Sequence, residues 1–258
     1  MSGEIETRPP TSPRRDAGDR WTVFPEWSPD LLKARVYERI LLDIILCELP
    51  PGGRLDEQDL ARRYDAGLAG VREALGRLAL EGLVVRRARA GTTVASLDLL
   101  EVRQAVDARR LIEPHCAALA ATHARPEDIG RLRAAFSGAE DVVRARDAAA
   151  LVRMDQQFHE AIARASRNVT LARILIPLQH KAARFWVWSM GADGEAALLA
   201  EIASHRAVVD AIAEGDPERA RTAVLRTLGA FSDDAQRAVN GSADRRSSRG
   251  SPLSAQSP

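Results

Sequence analysis

Apolar residues recur every three to four positions along most of this chain, the period of an α-helix with one buried face. Leu32, Val36, Ile40 and Ile44 form one such stripe. Ser28-Pro29-Asp30 supplies a serine N-cap and a proline at the first helical position, so a helix is predicted from there to about Glu48. Leu55, Leu60 and Ala61 mark a second, short helix, and Val71, Ala74, Leu75 and Leu78 mark a third that Gly82 ends. The period then changes. Val84-Val85-Arg86-Arg87 and Thr92-Thr93-Val94-Ala95 are β-branched runs separated by Ala88-Arg89-Ala90-Gly91, the pattern of a hairpin whose glycine takes a positive φ. Two short helices joined by a turn and followed by an arginine-bearing hairpin predict a winged helix-turn-helix, a DNA-reading unit. From about Leu97 the helical period resumes, broken near Arg125-Pro126, Asp147, Asn168, Gly191 and Gly215-Asp216-Pro217. Those breaks predict six helices, and an antiparallel bundle is the natural way to bury their faces. The predicted class is mainly α: an N-terminal winged helix-turn-helix with a small β-hairpin wing, then an all-α antiparallel helical bundle.

Composition adds limits. With 258 residues and 45% hydrophobic content the chain can bury more than one core. The expected organisation is a tail over residues 1–27, a winged domain over 28–96, a bundle over 97–240 and a second tail over 241–258. The tails are rich in Pro, Arg, Gly and Ser and have too little apolar surface to offset ordering entropy, so both are expected to be disordered. Lys and Arg number 37 against 36 Asp and Glu, so any basic face must be local. Cys47 and Cys116 each lie among apolar helical positions, which fits reduced core thiols of a cytoplasmic protein. No apolar run approaches the roughly 20 residues of a membrane span, and no membrane partner is expected.

The words of the N-terminal half carry a family resemblance. Leu49-Pro50-Pro51-Gly52, Asp59-Leu60-Ala61, Val71-Arg72-Glu73-Ala74-Leu75, Glu81-Gly82-Leu83 and Gly91-Thr92 resemble, in register, the DNA-binding domain of the GntR family of bacterial transcriptional regulators. The resemblance implies that Arg72, at the N-terminal end of the third helix, reaches base edges or phosphate. Its alternative role is a surface ion pair with Glu73 or Glu81. Gln58, Arg62 and Arg63 on the second helix, and Arg86, Arg87, Arg89, Gly91 and Thr92 on the wing, complete the expected DNA contacts. Leu68 stands where these regulators commonly carry a base-reading arginine, and Gly76 where a basic residue is frequent.

The bundle carries its own motif. Asp155 and His159 are four residues apart, which puts carboxylate and imidazole one turn apart on a single helix face. His205 lies on a later helix whose apolar side is defined by Ile202, Val208 and Ile212, so it can face the same interior. Arg109-Arg110-Leu111-Ile112-Glu113, Asp155 through His159, Ala165-Ser166-Arg167-Asn168, His205 and Gly215-Asp216-Pro217-Glu218 resemble the FCD ligand domain of the FadR subfamily. That resemblance implies a divalent metal, Zn, Ni or Mn, held by Asp155, His159 and His205, with Thr227 at the position of a fourth, histidine ligand. It also implies that Arg109 faces an effector carboxylate, for which a planar guanidinium is suited. Arg109 could equally pair with Glu113 on its own helix. Asn168 caps the following helix and is expected to line the pocket; Trp186, among Phe185 and Trp188, is core or a ring wall for ligand. His180 is an unassigned further ligand.

The expected function is a homodimeric, cytoplasmic transcriptional regulator, a repressor, that binds a double-stranded DNA operator and is controlled by a small carboxylate metabolite. Two competing classes are a metal-dependent hydrolase, since an Asp/His/His cluster can activate water, and a sensor or interaction protein with degenerate DNA readout. No nucleophile elbow or phosphate-binding glycine loop accompanies the cluster.

Overall fold

The computed structural model describes residues 32–89, 91–190 and 194–229, with the side chains of residues 188–190 outside that description. The expected cap at Ser28-Pro29-Asp30, both tails, Ala90 of the wing turn, the Trp188 side chain and the Gly191 break fall outside the described residues.

Three helices and three strands form the N-terminal unit. Helix α1 (Leu32–Ile45) buries Val36, Tyr37, Ile40, Leu41 and Ile44, three of them members of the predicted stripe; the fourth, Leu32, opens the helix and is 61% exposed. Helix α2 (Glu57–Tyr64) is capped by Asp56, whose carboxylate accepts from the backbone N–H of Gln58 and Asp59 at 2.9 and 3.0 Å. Helix α3 (Leu68–Leu80) turns Val71, Ala74, Leu75 and Leu78 inward, all fully buried. Leu55, expected on the second helix, lies instead in strand β1 (Arg54–Leu55). Two residues are too short to show a strand period, and the Asp56 cap fixes the helix start just after them. Strands β2 (Val84–Arg87) and β3 (Gly91–Val94) form the wing, and β1 pairs antiparallel with β3 to give the order β1-β3-β2. Gly82 takes φ +77°, a left-handed conformation that favours glycine at this turn.

Helices α4 (Leu99–His123), α5 (Pro126–Ala135), α6 (Ala139–Ala145), α7 (Ala148–Ala165), α8 (Val169–Met190), α9 (Glu195–Ala213) and α10 (217–229) follow. The described bundle thus has seven helices against six expected. The added break comes at Gly138, φ +72°, which splits an apolar-periodic segment into α5 and α6. A core of Cys116, Leu132, Phe136, Phe158, Ile162, Leu175, Ile202 and Ile212 joins these helices.

Helix α8 serves both halves. Leu175 packs in the bundle core, while Ala183, with Val152 of α7, joins the core of the N-terminal unit beside Tyr37, Leu75 and Leu83. Arg184 of α8 donates to the Ala95 carbonyl at 2.8 Å, fastening the strand exit to the same helix. No described helix is long and apolar enough to cross a membrane.

Candidate functional site

Glu57 of α2, Arg72 of α3 and Arg86 of β2 meet on the surface of the N-terminal unit. Arg72, the fifth residue of α3, projects near the helix N-terminus with 61% of its side chain exposed, and its Nε donates to Glu57 at 2.6 Å. Glu57 also receives Arg86 of β2 at 3.5 Å, so one carboxylate at the start of α2 ties the third helix to the wing. The partner of Arg72 is therefore neither Glu73 nor Glu81. Gln58, Arg87 and Arg89 are exposed, as is Gly91 at φ +93° with Thr92 half-buried beside it. Arg62 is exposed and paired with Asp59. Arg63 turns back instead: it donates to Asp43 at 2.6 Å and lies over the Tyr64 ring. Leu68 is an exposed apolar residue on the first turn of α3.

Glu57 is a carboxylate set among cations on a face expected to meet phosphate. Glu57→Gln frees Arg72 and Arg86 and removes a like charge. Since an exposed pair is worth up to about 1 kcal/mol, nonspecific duplex DNA binding should tighten by up to about fivefold, with a steeper salt dependence. Fluorescence anisotropy over a salt series reads this; unchanged affinity and slope contradict it.

Inside the bundle, α4, α7 and α9 converge on a buried charged cluster. Asp155 and His159 come from α7, His205 from α9, and each offers one ligand atom, all within 4.8 Å of one another. His205 Nδ1 donates to the Glu201 carbonyl at 2.9 Å, so its Nε2 keeps a lone pair facing Asp155 Oδ1, 3.7 Å away. His159 Nε2 lies 3.3 Å from the same Asp155 oxygen, while its Nδ1 lies 2.6 Å from Glu113 Oε1, off the line of a good hydrogen bond. Arg109 of α4 donates through Nε to Glu113 at 2.9 Å and reaches His159 Nε2 at 3.4 Å through Nη2. The Arg109 pair with Glu113 is thus buried in the site and not on a helix surface.

Protonation follows from these contacts. Burial opposes the His159 cation, but Glu113 and Asp155 outweigh it and hold the imidazole up at about 9. Burial pushes His205 down to about 4; Asp155 opposes this and His159 adds to it. Despite burial, Glu113 stays well below the usual carboxylate range, held there chiefly by Arg109 and His159, and Asp155 is lowered too, chiefly by His159. At neutral pH the cluster therefore holds two carboxylates, one guanidinium, one imidazolium and one neutral imidazole.

A cavity of about 30 Å3 lies among Arg109, Asp155, His159, Trp186, His205 and Thr227. That is room for an ion or a water and far below the roughly 300 Å3 of a metabolite pocket. Thr227 lines it, with its hydroxyl 3.3 Å from Ser204 Oγ and 3.2 Å from the Ala223 carbonyl. Trp186 lines it too and donates to Glu201 at 2.9 Å. Asn168 caps α8 by accepting from the Leu171 N–H at 3.1 Å and is not among the residues lining this cavity. His180 also lies elsewhere: its Nδ1 is 3.0 Å from Glu81 of the N-terminal unit.

Residues 32–94 match the family described as "Bacterial regulatory proteins, gntR family", and residues 104–230 match the FCD domain. This chain belongs to the GntR family. It is similar to the probable D-xylose utilization operon transcriptional repressor of Paenarthrobacter nicotinovorans, 29% identical over 77% of this chain and 86% of that one. It is also similar to the HTH-type transcriptional regulator LutR of Bacillus subtilis, 26% identical over 70% of this chain and 90% of that one. The solved structure of E. coli McbR/YncC has the same fold, with TM-score 0.71 at 20% identity, over 81% of this chain and 99% of that one. The protein is thus a DNA-binding transcriptional regulator with a C-terminal effector-binding FCD domain.

Three participants escaped sequence reasoning. Glu113 was visible only as a helix neighbour of Arg109; its burial between Arg109 and His159 makes it the residue that orients both. Gln179 of α8 donates to Asp155 Oδ2, although nothing local distinguishes it from a surface glutamine. Glu81, 8% exposed, accepts from the Tyr37 hydroxyl at 2.8 Å and Arg77 Nε at 3.0 Å besides meeting His180. Burial disfavours its charge, but His180, Arg77 and Tyr37 outweigh that and hold its carboxyl below the usual range.

Proposed function

We propose that this regulator is a cytoplasmic homodimeric repressor that binds a palindromic operator through Arg72, Gln58 and the wing and is released by a small carboxylate metabolite. The FCD cluster holds one divalent cation, Zn, Ni or Mn, on Asp155, His159 and His205. The donor set suits such ions: one carboxylate oxygen and two imidazole nitrogens, with each ring's other nitrogen turned to an oxygen of Glu113 or Glu201. Thr227 contributes a weak neutral donor where an imidazole would complete the shell. A cation bound there supplies a Lewis-acidic centre for the effector's carboxylate. Arg109 is the second anchor, and Trp186 the apolar wall. Because the present cavity admits an ion and not a metabolite, effector binding draws on an arrangement in which the surrounding helices have parted, and differential affinity for that arrangement shifts the population.

The observation that carries this reading is a pair of neighbours on α8. Gln179 holds Asp155 of the cluster, and the next residue, His180, holds Glu81 at the end of α3. A change at the cluster that moves α8 therefore moves the reading helix. The test is His180→Ala compared with wild type, both stripped with a chelator and then given Zn2+. The variant should still bind Zn2+ while losing most of the metal-dependent change in operator affinity. An unaltered metal effect in the variant contradicts the coupling, and no metal uptake by wild type contradicts the metal site.

A further inference from the structure

A second, larger cavity opens between the two halves of the chain. It has a volume of about 420 Å3, within the range of small-molecule pockets, and is walled by α1 and α3 on one side and α7 and α8 on the other. It is distinct from the small cluster cavity, although His159 and Gln179 line both.

Its polar lining has a definite order. Arg153, Gln156, Gln157 and Glu160 fall at spacings of three, four and seven along α7, so they share one face of that helix, and that face looks into the cleft. Arg153 is exposed and makes no ion pair among the described residues. Two turns further on, Glu160 is met from across the cleft by Glu38 of α1, which likewise has no ion-pair partner among the described residues. Glu160 is engaged by Arg164 at 2.7 Å, so the carboxylate left without a direct ion pair is that of Glu38. Its carboxyl titrates above the usual range because the cleft wall strips part of its solvent and Glu160 repels it, which together outweigh the attraction of Arg77 and Arg35. The lining also holds two amide atoms that are buried without a partner, Gln156 Nε2, a donor, and Gln179 Oε1, an acceptor on a side chain only 4% exposed. Leu41, Leu175 and Ile176 give the cleft its apolar floor.

A cation and a carboxylate that each lack an ion pair, with one unmet donor and one unmet acceptor in the same lining, call for a ligand with both charges. Seven residues of helix rise put Arg153 and Glu160 about 10 Å apart along α7. That is the separation of their backbones; an α-amino acid, with roughly 3 Å between ammonium and carboxylate and a charge-assisted hydrogen bond of about 2.8 Å at each end, asks for charged groups about 9 Å apart, which the long side chains of Arg153, Glu38 and Glu160 are flexible enough to supply. We propose that the cleft between the DNA-reading unit and the bundle binds a free α-amino acid, its carboxylate on Arg153, its ammonium on Glu38 and Glu160, and its side chain over the apolar floor. Gln156 donates to the ligand carboxylate and Gln179 accepts from an ammonium or side-chain N–H. The ligand touches both halves of the chain, so it fixes their mutual arrangement and modulates DNA binding through a site separate from the metal cluster.

The test is isothermal titration of full-length protein with each of the proteinogenic L-amino acids, followed for any binder by its decarboxylated amine and its deaminated acid. At least one amino acid should bind, while both truncated analogues bind at least about tenfold more weakly. Arg153→Ala and Glu38→Gln, both surface changes, should each weaken binding by about tenfold or more. His205→Ala, which disables the metal cluster, should leave it intact. Absence of binding by every amino acid overturns the proposal, as does binding indifferent to both cleft variants. Binding lost only in His205→Ala also overturns it, while leaving the cluster as the effector site.

Discussion

Replacing Glu113 by alanine lowers the stability of the protein by about 3–5 kcal/mol, the cost of leaving buried charge without its partner. Glu113 is 1% exposed and is the shared counter-ion of the Arg109 guanidinium and the His159 imidazolium. Without it two cations face one another with Asp155 alone between them, in a place that solvent does not reach. Glu113→Gln keeps the shape and loses the charge, so its penalty is smaller and depends on pH. The His159 pKa stands at about 9 in the folded chain against 6.5 for an ordinary histidine. Its contribution is therefore fully present below about pH 6.5 and fades as pH rises through about 9. The gap between wild type and Glu113→Gln should narrow over that window. Urea unfolding of metal-free protein across the same pH range measures both effects. A Glu113→Ala penalty below about 1 kcal/mol, or a gap that widens with pH, contradicts the assignment.

Arg72→Ala weakens specific operator binding by about 1–3 kcal/mol per half-site, the value of a bidentate arginine at a base edge. That is on the order of ten- to a hundredfold in affinity. The side chain stands clear of the fold, and its pair with Glu57 is surface-exposed and worth little, so the substitution leaves stability unchanged while the readout suffers. Arg87→Ala and Arg89→Ala, on the exposed wing, should instead weaken all duplexes alike and lower the salt slope by about one each. Competition titrations with operator and scrambled duplex separate the two behaviours. Equal losses on both duplexes for Arg72→Ala assign it to phosphate alone.

The reading unit was legible because its signals are local. The spacing of Val71, Ala74, Leu75 and Leu78 dictates one buried face whatever the rest of the chain does, and the wing declares itself by a change of period. Strand β1 was not legible, since its two residues take their conformation from β3, far along the sequence. The break at Gly138 hid inside a segment whose apolar period continues on both sides. In the bundle, Asp155, His159 and His205 could be brought together because helical periodicity and family resemblance both faced them inward. Their partners could not. Glu81 and His180 are 99 residues apart, and Gln179 has no feature that marks it as the hydrogen-bond partner of Asp155. Such contacts are set by how α8 lies across both halves, which no window of sequence encodes.

The claim on which the rest depends is that this chain reads a specific DNA site, and the most direct measurement is binding to its own upstream promoter against a scrambled duplex over a salt series, with wild type and Arg72→Ala side by side. The expected result is a wild-type complex that survives the scrambled competitor, weakens with salt and loses its preference for promoter DNA in the variant. Equal wild-type affinity for promoter and scrambled DNA, repeated after selection from a randomised duplex pool, contradicts sequence-specific readout by this winged domain.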